Sequence, residues 1–476
     1  MNTRRLSIVA LVLVLLLPAM ACAGKDSLSD AMTRQLQVNR QRYGMAGQAL
    51  LVTHNGKEVF RGVDGYANLQ AKEKITARTI FPVYSLSKLF VSTLVMQLVE
   101  QGAVDLDKPA SVYLQGLPDG WRGITVRQFL NHTSGVPDYF SDNEQPTAFP
   151  ASMQDVFASL GPKPMLFAPG TRTRYTQTNY LVLSALLEAH YGQPYPQIAG
   201  ERIIRKLGLK HTWLGRPSLP ASGVALGYLG KNGKLQRETE IAWPAYSYGH
   251  AELYLTLDDL ARFLQAVSSG ELVSKASLQQ FWQPQNLSDG RRGDFSTGWE
   301  YGESGAYRHA GHDGGARVRV RVVYKDSLDD DTYVFIYLSN GSAKNVWSRT
   351  LIGSAMATVA PDKFPAEVLS EKLIVYALAS STGPEDGKKI RSGTSLQGEA
   401  LERTINNTGY AALEFLSADT AIRVLALNTE FFPASANAWD SLADGYKAKG
   451  EQAKAQQLYD KARQLQADQK QGQAKP

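Results

Sequence analysis

The chain has 476 residues, with 51 Lys and Arg against 45 Asp and Glu and a formal charge of +6. That length leaves room for more than one domain and a sizeable core. The basic residues are scattered and interrupted by acidic runs such as Asp329-Asp330-Asp331, which excludes a nucleic-acid footprint. Cys22 is the one cysteine, which excludes an internal disulfide, so the body must hold together by packing.

Residues 1–23 read as an export signal. Arg4 and Arg5 form the charged start, residues 6–17 the apolar run, and both Ala19-Met20-Ala21 and Ala21-Cys22-Ala23 fit small-x-small cleavage. The run is too short to span a bilayer, and no later stretch is long enough, so no transmembrane segment is expected. Cys22 also suits a lipid anchor as the first residue of a bacterial lipoprotein, although Ala19 stands where such a box usually has leucine. The expected location is periplasmic or secreted, or the outer membrane if Cys22 is lipidated.

A polar stretch at 27–43 reads as a helix, and 48–53 as a strand. His54-Asn55-Gly56-Lys57 is a hairpin signal returning into a strand at 58–63. Ser85-Leu86-Ser87-Lys88 then opens a helix that is apolar on nearly every face and ends near Gly102, so it is expected to be buried. From 105 to 260 the pattern is helical pieces broken by Pro and Gly. Arg317-Val318-Arg319-Val320-Arg321-Val322 alternates strictly, as a strand with one wet face would. A further strand is expected at 333–338 and a closing helix at 346–359. Strands at both ends with helices between predict an α+β fold, an antiparallel sheet flanked by helices with an inserted helical lobe.

The texture changes near 362. Trp439, Leu442, Ala443, Tyr446, Ala455, Tyr459 and Ala462 match tetratricopeptide spacing, and Gly409, Ala421, Leu425 and Pro433 take matching positions about 34 residues earlier. Two helical hairpins are expected, with a helix at 366–379 before them. The expected division is a signal at 1–23, a first domain at 24–361 and an all-α tail at 362–476. Two repeats are few to stand alone, so the tail is expected to dock on the body; the other reading is a groove for a protein partner.

Ser85 and Lys88 are the sharpest chemical signal. They form the one S-x-x-K of the chain, and residues three apart on a helix share a face. Burial disfavours an ammonium, which would leave Lys88 able to take the serine proton, and the helix N-terminus favours developing negative charge. That is the chemistry of an activated nucleophile.

Further landmarks follow in order. They are Phe81-Pro82-Val83-Tyr84 before Ser85, Phe129-Leu130-Asn131-His132-Thr133-Ser134-Gly135-Val136-Pro137, Pro169-Gly170-Thr171-Arg172 leading to Tyr175-Thr176-Gln177, and Gly311-His312-Asp313-Gly314-Gly315. With these, residues 28–360 resemble the serine β-lactamase-like hydrolases, in particular the group of class C β-lactamases, D-alanyl-D-alanine carboxypeptidases and related esterases. The resemblance implies an acyl-enzyme on Ser85 with Lys88 as base or relay and Tyr175 serving the leaving group and then the deacylating water. It also implies an oxyanion hole from the N–H groups of Ser85 and Gly315, and substrate contacts from Gln177 and His312.

Two departures matter. The family's second motif is usually Tyr-x-Asn, whereas here Gln177 is one methylene longer. Its β-lactamase members carry Lys-Thr-Gly, whereas here His312-Asp313-Gly314 offers a group only partly charged near neutral pH, a weaker grip on a penicillin carboxylate. Ser141-Asp142-Asn143 and Tyr66-Ala67-Asn68 spell related motifs but stand out of context, the second in an expected turn. His132-Thr133-Ser134-Gly135 reads as a structural turn. His309 and His312 lack a third ligand, so no metal and no cofactor are expected. The expected activity is hydrolysis of small esters or D-amino-acid peptides and amides. The competing reading is an inactive binding protein that uses its repeats.

Overall fold

The computed structural model describes residues 27–140, 148–379, 381 and 383–473. The export-signal and Cys22 readings, and Ser141-Asp142-Asn143, lie outside the described residues. The polar opening is a helix, Leu28–Tyr43, started by the Ser27 hydroxyl accepting from the Asp30 N–H and stopped by Gly44 at φ 64°. Asn55 (φ 48°) and Gly56 (φ 74°) then turn strand Gly47–His54 back into Lys57–Asn68, as the hairpin signal predicts. Tyr66-Ala67-Asn68 closes that returning strand rather than occupying a turn, with Tyr66 paired to Lys74.

Among the described residues the main sheet has eight strands, every neighbouring pair antiparallel. Across the sheet the order is Glu73–Lys74, Lys57–Asn68, Gly47–His54, Tyr333–Ser339, Val318–Tyr324, Tyr307–Gly314, Trp299–Ser304 and Phe295–Ser296. The N-terminal hairpin therefore pairs with the last strand, Leu51 opposite Ile336, and the helical lobe is inserted between them. A small sheet of Ile80–Pro82, Leu253–Thr256 and Thr212–Leu214 ties that lobe together.

Strand alternation divides the core into two layers. Leu51, Val320, Val322 and Ile336 face Phe90, Leu94 and Phe263 of the lobe, whereas Leu50, Val52, Val323 and Phe335 face Met32, Leu351, Ile352 and Phe364. The expected wet face at 317–322 is absent. Helix Ser348–Val359 packs over it, and Arg319 is only 1 % exposed. Its guanidinium survives burial by donating to Asp313 and, at 2.7 Å, to Glu300. Alternation of Arg and Val reports a pleat, and it does not distinguish water from buried carboxylates.

Past 362 the chain is helical: Pro365–Leu378, Pro384–Ser392, Gly398–Phe415, Ala418–Phe431, Ala436–Lys449 and Gln452–Gln473. The last four make two antiparallel hairpins, and a Cβ on Gly409 would stand 2.3 Å from Leu425, so that crossing needs glycine. The helix Pro384–Ser392 has no counterpart in the sequence reading. The tail packs on the body: Phe415 enters the Met32–Leu351 core cluster and meets Trp347 at 5.9 Å, while Arg42 donates to Glu371 at 2.8 Å. Among the described residues no helix is long and apolar enough to cross a membrane.

Candidate active site

Ser85 stands in a 3-10 turn, Tyr84–Leu86, that runs directly into helix Ser87–Glu100. Tyr84 takes the left-handed conformation (φ 49°), an uncommon state for a bulky residue, and Ser87 Oγ holds the turn by donating to Tyr84 O at 2.5 Å. Every residue from Ser87 to Leu98 is buried, as the all-round apolar pattern predicts. Lys88 is fully buried one turn after Ser85. Its Nζ donates to Ser85 Oγ (3.1 Å), Gln177 Oε1 (2.7 Å) and His250 O (3.0 Å). If the amine gives up one proton and keeps its N–H bonds to Gln177 and His250, the direction of the Ser85 bond reverses and the amine becomes the acceptor for the serine hydroxyl.

Gln177 is set by the start of helix Thr178–Tyr191. Asp138 accepts from the Gln177 N–H at 3.0 Å and the Thr178 N–H at 3.3 Å, and from Thr178 Oγ1 at 3.2 Å, so it caps that helix from outside. The extra methylene of Gln177 is accommodated, because its amide still reaches Lys88.

Tyr175 lies on the loop just before that helix. Its ring packs 4.3 Å from the His132 ring, the residue is 37 % exposed along the cleft, and its phenol interacts with Ser85. Burial drives the phenol well above its ordinary pKa, so it rests as a proton donor. The His132 turn is structural, as expected. His132 has φ 57°, Gly135 has φ 75°, and a Cβ on Gly135 would stand 2.1 Å from Phe167 O. The His132 Nδ1 accepts from the Thr176 N–H (3.3 Å) and lies 2.9 Å from Asn179 Nδ2, which fixes the ring beneath Tyr175.

On the opposite wall, strand Tyr307–Gly314 brings His312 and Gly315 to Ser85. A Cβ on Gly314 would stand 2.2 Å from Val83 O, and one on Gly315 (φ 52°) 3.1 Å from the Tyr84 ring; only glycine lets this strand end approach the nucleophile turn so closely. His312 is 3 % exposed. Burial, helped by the nearby Lys88, lowers its pKa to about 4, so it is neutral at neutral pH rather than partly charged as expected from its residue type. His132 and His250 are held well below 6.5 for the same two reasons.

These side chains open on one cleft of about 840 Å³. Ser85, Tyr175, Gln177, His312 and Gly315 all line it, with Phe140 and Trp243 as an aromatic wall, their rings 4.7 Å apart. The predicted site residues therefore meet in one place. Sequence reasoning missed Asp138, and it missed the loop bearing His250. The functional group of His250 toward Lys88 is a backbone carbonyl, which no side-chain motif encodes. A faint signal was Gly249, where a Cβ would strike Ser184 Oγ at 2.2 Å.

A family model, Beta-lactamase, matches residues 29–351. Over 285 residues the chain is 28 % identical to the D-aminopeptidases of Brucella ovis and Brucella anthropi, an overlap of 58 % of this chain and 53 % of theirs. It thus spans about half the length of the curated relatives it matches. Among solved structures, the D-amino acid amidase from Ochrobactrum anthropi SV3 complexed with L-phenylalanine amide superposes with a TM-score of 0.60 at 22 % identity, covering 71 % of this chain and 99 % of that one. EstCE1, a hydrolase with promiscuous acyltransferase activity, superposes with a TM-score of 0.58 at 19 % identity, covering 70 % and 98 %. At these identities the two structures establish the fold.

Proposed function

Because the chain belongs to the Beta-lactamase family, we propose that it is a serine hydrolase working through an acyl-Ser85 intermediate on small esters or D-amino-acid amides and peptides. The observation that carries this reading is the 3.1 Å approach of Lys88 Nζ to Ser85 Oγ, with Gln177 Oε1 and His250 O also bonded to the amine. Lys88 takes the hydroxyl proton as Ser85 Oγ bonds to the substrate carbonyl carbon. The N–H groups of Ser85 and Gly315 receive the oxyanion. Tyr175, a phenol at rest, passes its proton to the departing oxygen or nitrogen, and the proton on Lys88 restores the phenol. Water then cleaves the acyl ester by the reverse relay, returning a proton to Ser85.

The ester and D-amino-acid preference rests on the printed names of the relatives and on His312, whose neutral ring gives a penicillin carboxylate no cation. The inactive-binder reading would gain from a broken constellation, and Ser85, Lys88, Tyr175 and Gln177 are in register. The signal-like residues 1–23 support export to the periplasm or beyond, and the paired C-terminal hairpins support a tetratricopeptide-like tail. A panel of a short-chain nitrophenyl ester, a D-alanine nitroanilide and a chromogenic cephalosporin tests the proposal. The ester and the D-amide should turn over faster than the cephalosporin; cephalosporin turnover above both would reject the substrate class.

A further inference from the structure

We propose that Arg317 is a positioning residue for the oxyanion hole: it anchors the Tyr84 side chain, and Tyr84 holds the Ser85 and Gly315 N–H groups in register. This rests on the serine hydrolase reading and concerns the machinery of that same site. The Ser85 N–H belongs to the peptide joining Tyr84 to Ser85, so the backbone angles of Tyr84 aim it. Tyr84 stands at φ 49°, in the left-handed region that a residue of this bulk rarely enters, and something outside the turn must hold it there. Its ring supplies the link to the second donor, because a Cβ on Gly315 would stand 3.1 Å from it. One residue therefore adjoins both donors.

The far end of that ring is fixed by Arg317. Its Nη1 donates to the Tyr84 hydroxyl at 2.7 Å, and its guanidinium carbon lies 5.3 Å from the ring centroid. The Arg317 backbone serves the other donor. Its N–H closes the 314–317 turn on Gly314 O at 2.9 Å, while the Ser348 N–H and Ser339 Oγ hold the Ala316 and Arg317 carbonyls at 2.7 and 3.0 Å. Arg317 is 8 % exposed, so its charge needs a counter-ion, and Glu238 accepts from both Nη atoms, at 2.9 Å from Nη2. Glu238 follows the hairpin of Tyr228–Lys231 and Lys234–Arg237, and its N–H donates to Gly227 O at 2.9 Å. A Cβ on Gly227 would stand 2.5 Å from Glu238 and 3.1 Å from Arg317 Nη1, so glycine admits the pair. Asn345 fastens the hairpin by exchanging two bonds with Gly230, at 2.7 and 2.9 Å. An ion pair that only closed a surface hairpin would need neither the Tyr84 hydroxyl nor a place in the cleft wall.

The test compares p-nitrophenyl acetate with its thiono analogue, in which sulfur replaces the carbonyl oxygen and accepts N–H bonds poorly. Their kcat/KM ratio therefore reads the oxyanion hole rather than the fold. The wild-type full chain should favour the oxygen ester by roughly a hundredfold or more. Tyr84→Phe keeps the ring and the Arg317–Glu238 pair and removes only the anchored oxygen, so it carries the test even where Arg317→Met fails to fold. In each variant with unchanged circular dichroism the ratio should fall by roughly tenfold, through kcat for the oxygen ester and with KM little moved. Glu238→Gln should give a smaller fall in the same direction. A ratio that stays at the wild-type value in folded Tyr84→Phe, or a loss that falls on both esters alike, overturns the positioning role alone. A wild-type chain that opens neither ester overturns it together with the hydrolase reading.

Discussion

The two walls of the cleft hold their key groups in different ways. The Lys88 amine finds protein partners: its nitrogen bonds Ser85, Gln177 and the His250 carbonyl, and the helix that follows Gln177 is capped by Asp138, while His132 Nε2 and His250 Nδ1 nearby are buried without a partner among the described residues. Across the cleft, His312 Nε2 is likewise buried without a partner among the described residues. The first wall is pre-assembled for chemistry that is the same for every substrate. The second carries His312, the position at which this chain departs from Lys-Thr-Gly. Ser85, Lys88 and Tyr175 come from the nucleophile turn, its helix and the loop before Thr178, whereas His312 and Gly315 come from the end of strand Tyr307–Gly314.

This contrast can be broken at several points. Replacing Ser85 or Lys88 with Ala should lower kcat/KM for ester and amide alike by roughly a thousandfold or more, with folding checked by circular dichroism. Equal loss on both substrates belongs to the chemical wall; selective loss on one would move Lys88 into recognition.

Acid should erode both walls through their buried neutral histidines. His312 has an ordinary pKa of 6.5 when unfolded and about 4 in the fold, so between these values the unfolded chain binds the extra proton. Its contribution to stability is complete above pH 6.5 and is lost as the pH falls toward 4, about 3 kcal/mol from this one ring. His132 and His250 act in the same direction. Denaturant unfolding between pH 7.5 and 4.5 should show the decline, and it should shrink in His312→Gln.

Tyr175→Phe removes the proton donor but keeps the ring against His132, so kcat should fall by about a hundredfold with KM little changed. The loss should be largest for amides, whose leaving group needs the proton most. The smallest effect concerns the second wall: His312→Lys should lower the ratio of kcat/KM for amine-bearing over carboxylate-bearing substrates by roughly tenfold. No change in that ratio would mean that position 312 does not sort substrates by charge.

The chemical wall was legible in the sequence because its parts are side chains at fixed local spacing. Ser85 and Lys88 are one turn apart, and Tyr175 and Gln177 flank a helix start. The N-terminal hairpin was equally legible, since Asn55-Gly56 encodes its turn locally. What escaped depends on distant segments. The 317–322 strand looked half wet because the alternation of Arg with Val cannot reveal that Glu300, Asp313 and helix Ser348–Val359 will cover it. Asp138 caps a helix 40 residues downstream, and the His250 contribution is a carbonyl common to every residue. The state of His312 also lay beyond residue type, because the depth of burial sets it.

The central claim is that Lys88 makes Ser85 a nucleophile. Treatment of the full chain with a fluorophosphonate, followed by peptide mass spectrometry, reads this directly. The account predicts one phosphonylated residue, Ser85, formed rapidly in the wild type and roughly a hundredfold or more slowly in Lys88→Ala. A folded wild-type protein that remains unmodified at Ser85, or one labelled as fast without Lys88, would contradict it.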